Sequence, residues 1–139
     1  MTISSQHTGM RGVYLVAAEL AGRGFVASPT SRSAFGADIL VTDRRCRRAY
    51  SVQVKTNARS FGHWLVGQQA RDTASPSHLY VLVNLRRVGG VDRVEYYVVP
   101  SRVVARHIKT FGRRTSPLHA FLRTHAAPYR DRWELFGTP

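Results

Sequence analysis

A carboxylate, an amide and an ammonium stand at short spacing in two apolar stretches. Asp38 lies in Gly36-Ala37-Asp38-Ile39-Leu40-Val41, and Gln53 and Lys55 lie in Ser51-Val52-Gln53-Val54-Lys55-Thr56. Brought together, these groups could hold a divalent cation against a phosphodiester. Magnesium takes oxygen ligands and keeps several of its waters, so the Asp38 carboxylate and the Gln53 amide oxygen could anchor it, with the Val54 carbonyl as a further ligand. Such a metal activates water and polarises a phosphoryl oxygen. Lys55 would orient that water and offset charge developing on phosphorus. Plainer roles stand beside this one: Asp38 ending a strand next to Gly36, and Gln53 with Lys55 forming the solvated face of an edge strand. Ser51 shares their face but has no evident His–acid partner, so a serine nucleophile is not expected.

For these residues to meet, two strands must pair. Segments 37–42 and 49–56 read as strands joined by a hairpin loop at 43–48. Ser51, Gln53 and Lys55 project to one face, and Tyr50, Val52 and Val54 to the other. If Thr42 faces Ala49, counting back sets Asp38 opposite Gln53, with Cβ atoms about 5 Å apart. A slip of one residue would destroy the alignment. The loop carries Arg44, Arg45, Arg47 and Arg48. At the rise of a strand they sit on the order of 15 Å from Asp38. That is too far for the chemistry, and it leaves them either as contacts to a nucleic-acid backbone or as a solvated turn. Asn57 and Arg59 follow the lysine closely and are expected to touch substrate. His63 is a candidate accessory acid or base. Trp64, Tyr80, Tyr96 and Tyr97 are expected in the core rather than stacked on bases.

The remaining elements supply the frame. Residues 1–8 read as a flexible lead. A helix is expected over 8–23, with Thr8 as its cap and Val13, Val16, Ala17 and Leu20 as its apolar stripe. A short strand is expected at 25–28, another at 61–66, a doubly covered one at 79–85 and another at 94–99. Gly89-Gly90 marks a turn. A helix capped by Ser101 is expected to run to 109. A basic loop follows at 112–117, then a helix or strand at 118–125 and a short terminal element at 129–136. This order implies an α/β domain, one sheet flanked by helices.

The length of 139 residues suits one domain spanning 1–139. Lys and Arg number 21 against 8 Asp and Glu, a net charge of +13. Nucleic acid is the commonest partner of such a surface. The single Cys46 rules out an intramolecular disulfide and fits a cytoplasmic location. No signal peptide is visible at the N-terminus and no apolar run approaches a membrane span.

Asp38 on one strand and Gln53-Val54-Lys55 on the next resemble the motif of the PD-(D/E)XK nuclease superfamily, over roughly residues 10–85. The resemblance implies a restriction-endonuclease-like core with a central mixed β-sheet flanked by helices. It also implies a magnesium-dependent endonuclease, with manganese as an alternative metal, acting on DNA. The family often adds a Glu from the preceding helix, a role that falls on Glu19. Catalysis would then rest on Asp38, Gln53, Lys55 and Glu19, and metal binding on Asp38, Gln53 and Glu19. Gln53 stands where the family usually has a second acid, as in Mrr-type restriction endonucleases, and weakens metal binding unless Glu19 compensates. Ala37 replaces a frequent Pro. A homodimer would bring two sites to two strands, with segments 94–99 and 133–136 as contacts, or equally as core. Two alternatives remain open: a non-catalytic nucleic-acid-binding domain of the same fold, and a basic protein-interaction module.

Overall fold

The computed structural model describes residues 3–31 and 36–139. Helix α1 spans Ser5–Gly22 and begins before the expected position. Ser4, not Thr8, is the cap: its hydroxyl accepts from the His7 amide at 3.3 Å. The expected flexible lead through residue 8 is therefore corrected, because residues 5–8 are the helix's first turn. Val16 and Leu20 are fully buried. Removing a side chain of this kind from water contributes about 1.5–3 kcal/mol.

A five-stranded sheet runs in the order β1-β2-β3-β5-β6. Its strands are β1 (Val26–Pro29), β2 (Ile39–Thr42), β3 (Ala49–Asn57), β5 (His78–Val88) and β6 (Val91–Pro100), with β4 (His63–Val66) standing outside it. Only β3 and β5 pair in parallel. The β2–β3 register runs from Thr42↔Ala49 to Ile39↔Val52, the alignment expected from the hairpin count. β5 is buried from His78 through Leu85, as befits a strand covered on both faces. On one face α1 and the C-terminal turn Trp133–Phe136 close a core around Ile39, Val41, Val52, Val81 and Val98. On the other, Trp64, Tyr80, Leu82, Tyr97 and Phe121 form a second core. Gly89 and Gly90 turn β5 into β6 with φ of 58° and 78°, a conformation that favours glycine at both positions.

The region after β6 departs from expectation. Helix α2 is short, Ser101–Arg106, and Ser101 does not cap it. Its hydroxyl donates to the Ser75 carbonyl and accepts from the Ser75 amide, both at 2.9 Å, tying the helix to a distant loop. The expected basic loop is instead the turn of a hairpin between β7 (Lys109–Arg113) and β8 (Ser116–Leu122). With β4 these make a second, three-stranded sheet in the order β4-β8-β7. One helical turn, α3 (Arg123–Ala126), follows. The segments considered as dimer contacts are core: Val98 and Val99 are inaccessible and Trp133 and Phe136 nearly so. Among the described residues no helix is long and apolar enough to cross a membrane.

A polar rung crosses three strands where Asn57, Asn84 and Glu95 stand in register. The Asn57 amide donates to the His63 carbonyl at 2.6 Å and to Asn84 Oδ1 at 3.2 Å, and Asn84 donates to Glu95 at 3.3 Å. Arg86, Arg123 and Arg130 surround the Glu95 carboxylate. Burial alone would raise the pKa of Glu95, but hydrogen bonds from Asn84 and Arg86 and the nearby arginine charges outweigh it and hold it below 4.5. A depressed folded-state pKa adds stability above the unfolded value, and that stability is lost as pH falls through the folded one. Glu95→Gln is accordingly expected to cost about 1–2 kcal/mol at neutral pH and to flatten the loss of stability on acidification. Parallel acid unfolding curves for the two chains would refute this.

Candidate active site

The β2–β3 ribbon sets the acid. Asp38 lies one residue before β2, and its amide donates to the Val52 carbonyl at 2.8 Å. That bond is one residue out of step with the ladder, in which Val52 faces Ile39. Such a bulge-like offset re-aims a side chain. The Asp38 carbonyl accepts from the Thr30 amide at 2.9 Å, and Asp38 Oδ2 accepts from the Val54 amide at 2.8 Å. The residue is thus pinned through amide, carbonyl and carboxylate; among the described residues no hydrogen bond reaches Oδ1.

An open cleft of about 340 Å³ collects Asp38, Gln53, Val54 and Lys55 with the N-terminal half of α1 and residues 29–31 at the end of β1. Three of the four expected catalytic residues therefore meet. Six of the eight acidic residues form ion pairs with arginine; among the described residues Asp38 does not. In a chain with 21 basic residues, its carboxylate faces the cleft without an arginine ion pair among the described residues.

Glu19, the fourth, is elsewhere. It pairs with Arg23 one turn on, at 3.4 Å, and lines a separate cleft with Leu15 and Tyr96. The earlier turns of α1 face Asp38 instead, through Gln6, Gly9, Met10 and Val13, and the exposed Tyr14 stands at the lip. Sequence reasoning missed Gln6 because it placed that residue in a lead, outside the helix. Asn57 is committed to the polar rung and does not line the cleft. Arg59 lines a neighbouring cleft with His7 and Arg11. The His63 ring lies edge-on to Phe111 in the second sheet, away from Asp38. Arg44, Arg45, Arg47 and Arg48 surround a cavity at the hairpin tip.

Behind Gln53 and Lys55 a small chamber is closed by His78, Tyr80, Gln69 and Thr73. His78 Nδ1 lies 2.7 Å from Ser51 Oγ. Burial lowers the His78 pKa against the opposing effect of its hydrogen bond with Ser51, and burial raises that of Tyr80. The Ser51–His78 pairing comes from the parallel ladder, in which they are direct partners. No local spacing announces it.

The cleft's ligand set suits a hard cation only modestly. Among the described residues Asp38 is the one carboxylate lining the cleft, beside the amides of Gln6 and Gln53, and magnesium needs few protein ligands. Among the described residues no group of three His, Cys, Asp or Glu side chains is placed to hold a metal.

A central mixed sheet flanked by helices, with a polar cleft lined by α1, Asp38 and β3, is a restriction-endonuclease-like fold. Two solved structures share it. Hjc, a Holliday junction resolvase from the archaeal hyperthermophile Archaeoglobus fulgidus, superposes with a TM-score of 0.61 at 15% identity, covering 94% of this chain and 97% of that one. The bacterial homing endonuclease I-Ssp6803I superposes with a TM-score of 0.60 at 16% identity, covering 96% of this chain and 91% of that one. No family model matches the chain, and no curated protein matches it.

Proposed function

We propose that this chain is a metal-dependent nuclease that hydrolyses phosphodiester bonds in DNA, with a Gln-x-Lys site like that of Mrr-type enzymes. The observation that carries the reading is the convergence of Asp38, Gln53 and Lys55 in one cleft, with Asp38 held by the Val54 amide. Asp38 and Gln53 would hold magnesium or manganese, which when bound supplies an activated water and neutralises phosphoryl charge. Lys55 meets the phosphate oxygens and stabilises the charge that grows on them. The backbone bonds around Asp38 fix its carboxylate before substrate arrives, so little reorganisation is left for the reaction itself. Arg59 and the hairpin arginines supply backbone contacts. A homodimer would place a second cleft on the opposite strand.

The single carboxylate favours one other reading, a nucleic-acid-binding domain that keeps the fold without cleaving. Incubation of linear and four-way-branched DNA with magnesium separates the two. The nuclease reading expects strand cleavage that EDTA stops and Asp38→Ala removes. Salt-sensitive binding without cleavage selects the other reading.

A further inference from the structure

A cavity of about 560 Å³ opens at the tip of the β2–β3 hairpin, lined by Arg44, Arg45, Arg47, Arg48, Asp43 and the last residues of the chain. Asp43 builds the loop. Its Oδ1 accepts from the Arg45 amide at 3.1 Å and the Arg47 amide at 2.9 Å, and Cys46 turns the chain with a φ of 55°. One guanidinium group has a fixed seat. Arg48 lies 3.6 Å from Asp43 Oδ2 and donates to the Thr138 carbonyl at 2.9 Å, in space that a side chain at Gly137 would fill. Arg44 lies against Gly24, where an added Cβ would come within 3.0 Å of it. The side chains of Arg45 and Arg47 hold no ion pair or hydrogen bond among the described residues. Four cations thus face one carboxylate, and that carboxylate is already occupied by two amides and Arg48. The donors left over suit a phosphate, which arginine binds through two parallel N–H bonds.

The cavity's position gives it a partner. Strand β1 is the edge of the five-stranded sheet. Gly24, just before it, touches the cavity through Arg44, and Thr30, just after it, binds the Asp38 carbonyl and lines the cleft. β1 and its neighbour β2 carry no charged residue. Asp38 and the hairpin loop that starts at Asp43 lie on the order of 15 Å apart along β2, and duplex DNA rises about 3.4 Å per base pair.

We propose that the hairpin cavity is a second phosphodiester site, gripping the backbone of the same nucleic acid roughly four base pairs from the phosphate held at Asp38. It rests on the reading of the Asp38 cleft as a nucleic-acid site. The test is binding of the full chain to a fluorescent 20-base-pair duplex, in EDTA so that nothing is cut, over a series of salt concentrations. Arg45→Ala/Arg47→Ala is expected to lower the slope of log affinity against log salt by about two, since each lost phosphate contact removes about 0.9. The control is Arg102→Ala/Arg106→Ala, which removes two exposed arginines on α2 and is expected to leave that slope unchanged. An unchanged slope in the hairpin variant overturns the proposal, and so does an equal loss in the control, which would mean only a diffuse positive field. Cleavage by the parent chain with an unchanged slope would refute this site and spare the nuclease reading. A lowered slope without cleavage would do the reverse.

Discussion

Lys55→Met is expected to slow DNA cleavage by about 10²–10³-fold while shifting stability by no more than about 0.5 kcal/mol. Lys55 sits on β3 opposite Leu82, half-buried at the cleft wall. Among the described residues no hydrogen bond or ion pair holds its ammonium, so the fold loses little when the charge goes. Methionine keeps an unbranched chain of similar length and so the packing of the stem. The charge is needed only when a phosphate occupies the cleft and negative charge grows in the transition state. Single-turnover cleavage at saturating magnesium reads the rate, and binding in EDTA reads the affinity. A rate within a few-fold of the parent would remove Lys55 from the chemistry.

Gly12→Val is expected to destabilise the fold by about 2–4 kcal/mol, the range of severe overpacking. Gly12 is buried in α1 directly over Thr56 of β3. A Cβ at position 12 would collide with the Thr56 hydroxyl and come within 2.9 Å of Thr56 Cβ. Thr56 is short and β-branched, so it has little room to turn aside. Glycine inside a helix normally costs about 1 kcal/mol against alanine; here that cost secures close approach of helix and sheet. Among the described residues the buried Thr56 hydroxyl has no hydrogen-bond partner, which makes Thr56→Ala cheap and gives a clean cycle. In the Thr56→Ala background, Gly12→Ala should cost at least about 1 kcal/mol less than in the parent. Additive losses in denaturant unfolding would show that the two residues do not meet. Because Gln6, Met10 and Val13 line the cleft from the same helix, displacing α1 also widens the site.

The hairpin was legible because alternation and loop length are local properties. Thr42 opposite Ala49 follows from counting, and the count holds as far as Ile39 opposite Val52. Asp38, expected opposite Gln53, instead bonds the Val52 carbonyl and lines the cleft with Gln53 and Lys55 through that offset. The doubly buried strand β5 was legible from its apolar run at 79–83. What escaped depended on distant partners. The first turn of α1 looks polar because its Gln6 faces a cleft rather than the core, so its start was placed too late. Glu19 satisfied a sequence order, but the helix that buries Val16 and Leu20 turns Glu19 towards Arg23 instead of Asp38. Asn57, expected to touch substrate because it follows the lysine closely, is held by the parallel ladder with β5 in a rung with Asn84. The second sheet hid in a segment rich in Arg, Gly and Pro, where pairing with β4 across about fifty residues decides the outcome against local turn signals.

The bond from the Val54 amide to the Asp38 carboxylate gives one atom pair two employments. It readies an acid for chemistry, and it also extends the pairing of β2 with β3 past the point where their backbones fall out of step. On the proposed nuclease reading, a descendant without cleavage would still need Asp38 to keep the ribbon closed. Retention of the aspartate among relatives would therefore say nothing about whether they are enzymes. Lys55, whose ammonium holds no hydrogen bond or ion pair among the described residues, is on the same reading the position at which loss of activity would leave its mark.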